Sequence, residues 1–337
     1  MEHILTADQF KELVLQANLA PSVHNVQPAR WRRAPGGRIE VIADLTRALP
    51  AADPHNQDVA LSCGCAIEGM LIALSAIGLA GCVENMANLS AERGDLAPVV
   101  ATIKIVQGGR DSLYPFMAQR YTWRSAFQPS QPTELDALQS WDHRVSDATV
   151  TTDPSAIAML SVLNDKASLR FMSEPRYRAE LVSWMRLQKR HSRYALDGMN
   201  LEALHMSVFE GIGAGLVLSP SVFPFLRRLG LASGIVSEDK KTTSVSAIAL
   251  FHRPREENRI VSGRAFYRFW LKITELGFTG WPMAALADDE ATNQTCCKHF
   301  GIPEDHQFIN AMRLGKVFEQ PQVRARIPAE HLIWESE

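Results

Sequence analysis

The chain has 337 residues, 46% of them hydrophobic and 21% charged, with a formal net charge of −2. That length supplies a full core for one large domain or two ordinary ones. The near-neutral balance, with no long basic block, provides no general attraction to nucleic acid or to an anionic membrane, so neither is expected as a partner. The five cysteines, Cys63, Cys65, Cys82, Cys296 and Cys297, fit neither a disulfide framework nor zinc-ligand spacing, and reduced thiols in a cytoplasm are the expectation. The opening MEHILTADQF shows no basic stretch leading into an apolar one, so no secretory signal is expected.

Thr6 with Gln9 three positions later predicts a capped helix whose apolar face is Phe10, Leu13, Val14 and Ala17, ending near Pro21. A polar loop follows, then a strand over 38–44 after the Pro35-Gly36-Gly37 turn. Val59 to Val83 is apolar apart from Glu68, long enough to span a bilayer but rich in small residues, and is expected to be a helix buried on nearly all faces. Residues 99–109 read as the next strand, TELDALQSW as a helix and ATVTTD as a strand. Residues 244–253 form another strand, 263–282 a long apolar helix, and 308–317 a closing strand.

The order repeats: 57–107 and 261–317 each place a buried helix before an apolar strand ending in glycine, which predicts a degenerate internal duplication. Between them, about 175–243 reads as an insertion, helical over 177–194 and then broken by Pro220 and Pro224, that serves as a lid or a subunit contact.

Four stretches carry the candidate chemistry. In APSVHNVQPARWR, Ser22, Asn25 and Gln27 offer neutral hydrogen-bonding groups on a loop that also carries Val23 and is stiffened by Pro21 and Pro28, suited to a flat heteroaromatic ligand or, equally, to a satisfied helix-to-strand turn. In QRYTWRSAF, Arg120, Thr122 and Arg124 alternate and project to one side if the segment is extended, a pattern that suits a phosphate. Arg324 and Arg326 alternate again in QVRARIPAEHLI, and GFTGWPMAA places Gly277, Gly280, Trp281, Pro282 and Met283 where backbone could approach a ligand. The sequence contains no nucleophile elbow, P-loop, dinucleotide fingerprint or zinc-protease motif, which directs attention to a cofactor.

Taken in order, these stretches resemble the flavin site of the nitroreductase family. APSVHNVQPARW resembles its P-S-x-x-N-x-Q-P-W segment, RYTWR its R-x-S-x-R/K segment and RARIP its basic C-terminus. The whole chain resembles the tandem-repeat, Acg-like branch. The resemblance implies an α+β fold of two degenerate repeats, 1–115 and 116–337, forming a pseudo-dimer within one chain. It implies one FMN site, because the first repeat keeps the P-S-x-x-N loop and the second keeps the arginines. Arg120, Thr122, Arg324 and Arg326 then hold the phosphate and Ser22, Asn25 and Gln27 the ring, with Arg124 at the ring's N1/O2 edge. Trp281, Pro282 and Met283 lie beside N5. The implied activity is NAD(P)H-dependent reduction of nitroaromatic, quinone or similar small aromatic acceptors on the flavin, by a monomer or homodimer. The Acg-like alternative is a protein that sequesters flavin. Ala29 stands where the family usually has Trp, Thr122 where it has Ser, and Met283-Ala284 where a Glu-Gly pair commonly follows the proline.

Overall fold

In the computed structural model, which describes residues 4–89, 95–142, 147–317 and 324–335, each half of the chain builds the same four-stranded antiparallel sheet. The first half runs α1 (Ala7–Ala17), β1 (Ala29–Ala34), β2 (Arg38–Ala43), α2 (Gln57–Ser75), β3 (Leu79–Glu84) and β4 (Val99–Gln107). After the short α3 (Tyr114–Met117) come α4 (Pro132–Asp142), β5 (Ala148–Thr151), α5 (Pro154–Ser173) and α6 (Pro175–Trp184). The insertion continues with β6 (Met185–Arg186), β7 (Met199–Asn200), α7 (Leu201–Leu204), α8 (Val208–Val217), α9 (Val222–Arg228), α10 (Ala232–Val236) and α11 (Asp239–Thr242). The chain closes through β8 (Ala247–Pro254), α12 (Arg259–Glu275), β9 (Thr279–Pro282), α13 (Ala285–Asp288), α14 (Glu290–Phe300) and β10 (His306–Gly315). The strand orders, β1-β2-β4-β3 and β5-β8-β10-β9, are equivalent, and in each half one long helix leads from the second strand to the third. The fold is α+β and internally duplicated.

Local chemistry sets these elements. Thr6 and Gln9 form the reciprocal cap expected of them, and Phe10, Leu13, Val14 and Ala17 are the buried face of α1. The Asp53 carboxylate accepts from the backbone N–H groups of Gln57, Asp58 and Val59, satisfying the first turn of α2. The helix is long and apolar enough to cross a membrane, yet it is nearly all buried. Its partner is α12, the equivalent helix of the second half. Glu68, the one acid in this apolar run, is ion-paired across that contact with Arg264 at 2.8 Å and Arg268 at 2.9 Å. The burial of a carboxylate is offset there by two guanidinium groups.

Several boundaries differ from the sequence expectation. The apolar run from Val59 is a helix only to Ser75; Gly78, at φ 76°, turns the chain, and Leu79–Glu84 is a strand. Likewise α12 stops at Glu275, Gly277 takes φ 77°, and Thr279–Pro282 becomes β9 instead of a helix reaching 282. The strand β1 was hidden by its arginines. Arg30 is buried against Asp44 at 2.7 Å and Trp31 lies in the core, so the strand's inward residues do not read as apolar alternation. Residues 332–334 run alongside it, with Trp31 N–H donating to Leu332 O at 2.9 Å and Trp334 N–H to Trp31 O at 2.8 Å. The second half thus ends on the sheet of the first. In the insertion the helix expected to reach Tyr194 ends at Trp184. Pro220 separates α8 from α9, which meet at 74°, whereas Pro224 is accommodated in the first turn of α9, where its missing N–H has no helical partner to lose.

Candidate functional site

A cavity of about 440 Å³ opens between the two halves and the insertion. Leu61, Ser62 and Cys65 of α2 and Phe266 and Trp270 of α12 contribute to its walls. Twelve of the thirteen candidate residues line it, namely Pro21, Ser22, Val23, Asn25, Arg120, Thr122, Arg124, Trp281, Pro282, Met283, Arg324 and Arg326. The exception is Gln27, which lies behind the loop.

The loop after α1 holds an unusual backbone. His24, Asn25 and Gln27 have φ of 43°, 57° and 50°, left-handed values that non-glycine residues seldom adopt and that cost free energy unless the surroundings enforce them. Here the side chains do the enforcing. Asn25 Nδ2 donates to Gly198 O and Ala325 O, both at 3.1 Å, while its Oδ1 accepts from Arg326 Nη1 at 2.8 Å. Gln27 Nε2 donates to Leu196 O at 2.9 Å and Asn25 O at 3.3 Å, and its Oε1 accepts from Ile327 N–H at 2.9 Å and Asn18 Nδ2 at 3.0 Å. Every hydrogen-bonding position of the Gln27 amide is filled by protein. It is therefore a bolt between loop, insertion and C-terminal segment, which corrects its assignment as a ligand contact. Ser22 accepts from Gln27 N–H at 2.9 Å and closes the loop.

Residues 120–124 run extended beside β9, with a bridge between Thr122 and Gly280 and Trp123 N–H donating to Gly280 O at 3.2 Å. The two-residue period therefore brings Arg120, Thr122 and Arg124 to one cavity wall. Arg120, only 3% exposed, donates from Nη2 to Leu19 O at 2.7 Å, and its guanidinium lies 4.7 Å from the Trp270 ring centre. Arg326 reaches the same Leu19 carbonyl at 3.3 Å, and Arg324 binds Ala118 O. The Nε atoms of Arg120 and Arg326 are buried without an acceptor. Among the described residues, no carboxylate forms an ion pair with Arg120, Arg324 or Arg326. Burial and then the neighbouring arginines push Arg326 down to about 9, and burial pushes Arg120 to about 10 with Arg324 adding to the effect. Three crowded cations with two orphaned donors and no counter-charge among the described residues have the chemistry that suits a multiply charged anion. The first residues of the C-terminal basic stretch, 322 and 323, lie outside the described residues.

The remaining walls were not legible in the sequence. His24 lines the cavity and is held neutral, burial and then Arg124 pushing it down to about 4. Arg124 donates to Ala203 O at 2.9 Å, and burial lowers it to about 10 against the attraction of Glu238. Glu238 also pairs with buried Arg313 at 2.8 Å, and Arg313 lies 4.1 Å over the Trp281 ring, fixing the end of β9. Gly280 serves packing instead of ligand approach, because a Cβ there would meet Met312 Sδ at 2.5 Å and Trp270 Nε1 at 2.9 Å. Asn164 of α5 and Met185, Met199 and Glu202 of the insertion complete the far wall.

No family model matches the chain. Over 182 residues it is 24% identical to a Mycobacterium tuberculosis protein named "Putative NAD(P)H nitroreductase Rv3131", covering 54% of this chain and 52% of that one. Over 85 residues it is 34% identical to "Putative NAD(P)H nitroreductase acg" of the same organism, covering 25% of each. The chain spans about half the length of the first of these relatives. Among solved structures, the FMN-dependent nitroreductase NfnB from Mycobacterium smegmatis in complex with NADPH aligns with 66% of this chain and 96% of its own, at 18% identity and TM-score 0.37. A "putative nitroreductase" from Anabaena variabilis aligns with 94% and 90%, at 10% identity and TM-score 0.48. In sequence the chain is related to nitroreductase-family proteins, Acg among them.

Proposed function

We propose that this relative of the Acg-like nitroreductases binds one FMN per chain and acts as an NAD(P)H-dependent oxidoreductase on small aromatic acceptors. The observation that carries this reading is the cluster of Arg120, Arg324 and Arg326, cationic, crowded and without a carboxylate partner among the described residues, at a cavity whose other charged residues, Asp58, Arg124, Glu202 and Glu238, stand among neutral and apolar ones. The residues fit the group: the two orphaned Nε donors suit a phosphate dianion, and the rigid Ser22–Val23–His24 turn and the Trp281–Met283 segment suit a flat ring. When bound, FMN supplies a ring that takes a hydride from NAD(P)H and gives up two electrons to the acceptor. In this reading the chain's own residues bind and orient the ring and form no covalent bond to it. Arg124 places a positive charge on the cavity wall, where it favours an anionic reduced ring. Trp281, stacked on Arg313, holds its segment in place, and the insertion limits the entry of water. The halves 1–115 and 116–337 divide the work, the first giving the loop and the second the arginines. Five free thiols and the need for NAD(P)H suit a cytoplasmic setting.

The decisive experiment titrates FMN and riboflavin into apoprotein. Alanine at Arg120, Arg324 or Arg326 is expected to weaken FMN by about 1.5–3 kcal/mol each, the worth of a charge-assisted hydrogen bond, or roughly tenfold or more in Kd. Riboflavin, which lacks the phosphate, should change little. Equal losses for the two ligands would show that these arginines support the fold and not a phosphate. Released flavin counted against protein should give one per chain; two at saturation would defeat the division of the site between halves.

The sequestering alternative draws on one feature, the insertion that walls the cavity on the side of Met199 and Glu202. Anaerobic NAD(P)H separates the two: rapid bleaching of the flavin absorbance supports the reductase, and a flavin that stays oxidised supports storage.

A further inference from the structure

The insertion carries a second feature that the cavity does not use. Of the large hydrophobic side chains exposed among the described residues, eight lie within 208–235: Val208, Phe209, Ile212 and Leu216 of α8, Phe225 of α9, Leu229 and Leu231 at the following turn, and Ile235 of α10. Phe209 is 86% exposed and the other seven between 43% and 63%. Val208, Ile212 and Leu216 are four residues apart and form a stripe along one side of α8. Eight large apolar side chains exposed within one short insertion are a concentration that the singly scattered apolar residues of an ordinary monomer surface do not show.

We infer that this face is the contact by which a second copy of the chain docks, across a two-fold axis, to form a homodimer. An exposed apolar face supplies what the core of a stable interface of ~800 Å² per partner requires. The charges are self-complementary: Glu210 is exposed at the start of α8, and Arg227 and Arg228 are exposed at the end of α9. A two-fold axis that lays α8 of one copy along α9 of the other meets each acid with a base, twice, as an isologous contact requires. The side of α8 at Gly213 is open, with nothing within 4 Å of a built Cβ, so another helix can approach its backbone closely. A lipid surface fits less well. The stretch 205–237 holds one acid and two arginines, short of the 4–8 basic residues that secure binding to anionic lipid, and the 74° bend between α8 and α9 prevents a span. The contact also bears on the site, since Leu218 at the end of α8 lines the cavity. A docked copy braces that wall from outside. This interface is separate from the α2–α12 contact, which lies within one chain.

The test is the mass of the full chain by light scattering at micromolar concentrations. Wild type should give twice the 37.4 kDa of one chain. The double variant Phe209→Asp with Ile212→Asp should give 37.4 kDa with an unchanged circular dichroism spectrum, since both side chains are exposed. Glu210→Arg should raise the dimer Kd at least tenfold, as should Arg227→Glu with Arg228→Glu, and combining the three changes should restore it. Wild type at the mass of one chain, or a double variant that stays dimeric, overturns the inference. So does a monomeric wild type that co-sediments with vesicles of phosphatidylcholine and phosphatidylglycerol, which would assign the patch to a membrane.

Discussion

Alanine at Gly64 is expected to destabilise the protein by about 3 kcal/mol or more, at the upper end of what overpacking a core costs, although alanine is the better helix former by about 1 kcal/mol. The reason is the crossing of α2 and α12. A Cβ on Gly64 falls 2.1 Å from Ile260 O, and one on Gly263 falls 2.1 Å from Leu61 O. Each obstacle is backbone, so relief requires the helices to separate rather than a side chain to turn. Separation also weakens Cys65 Sγ donating to Gly263 O at 3.2 Å and the pairing of Glu68 with two arginines of α12. Gly263→Ala should cost a similar amount, and the double variant less than the sum, because both report one contact. Gly234, with nothing within 4 Å of a Cβ, provides the contrast. There alanine should stabilise by about 0.5–1 kcal/mol. Urea midpoints measure all four, and a neutral Gly64→Ala would refute the close crossing. Flavin affinity should fall with stability at Gly64, since Leu61 and Cys65 of the same helix line the cavity.

How much of this arrangement the sequence discloses depends on the range of the interaction concerned. The alternation of Arg120, Thr122 and Arg124 is local, and a two-residue period puts all three on one wall once the segment is extended. The capping box at Thr6 and Gln9 is local as well. The density of polar groups from Ser22 to Gln27 is visible, but the purpose of Asn25 and Gln27 is not, because their partners are backbone groups of Gly198, Ala325, Leu196 and Ile327, far along the chain. An amide that looks free to face a ligand is in fact consumed by the fold. Glu238 and Arg313 escape for a related reason: each is a single charged residue whose meaning appears only when tertiary contact brings it to Trp281 or Arg124. The two helices that end early illustrate a third cause. Hydrophobicity continues unbroken past Ser75 and Glu275, and only a glycine in the left-handed region marks where helix gives way to strand.

Asp197 is the residue whose loss should be felt both in stability and at the site. Its carboxylate is fully buried and receives Arg186 at 2.8 Å together with Arg47 of the first half and Arg193 of the insertion. Its neighbours supply the carbonyls of Leu196 and Gly198 that hold Gln27 and Asn25 in their strained backbone. Asp197→Asn leaves three guanidinium groups without their shared counter-charge and is expected to cost about 3 kcal/mol, the low end for breaking a buried pair, because Arg193 is partly exposed. It should also weaken flavin binding as the loop loosens. The effect has a pH signature. Burial pushes the carboxyl up, but hydrogen bonds from Arg193, Arg47 and Arg186 outweigh it and hold the group at about 2, below its ordinary 3.8. A depressed folded pKa contributes stability that is complete above the unfolded value and is lost as pH falls from there through the folded value. The stability gap between wild type and Asp197→Asn should therefore be full at pH 6 and close progressively below about pH 4, as the wild-type carboxyl takes up the proton that makes it resemble the amide. Urea denaturation of both proteins at pH 6, 4 and 3 measures it. A gap that stays constant across that range would mean that the three arginines do not depend on the charge of Asp197, and that the attachment of the insertion to the loop rests on the backbone carbonyls alone.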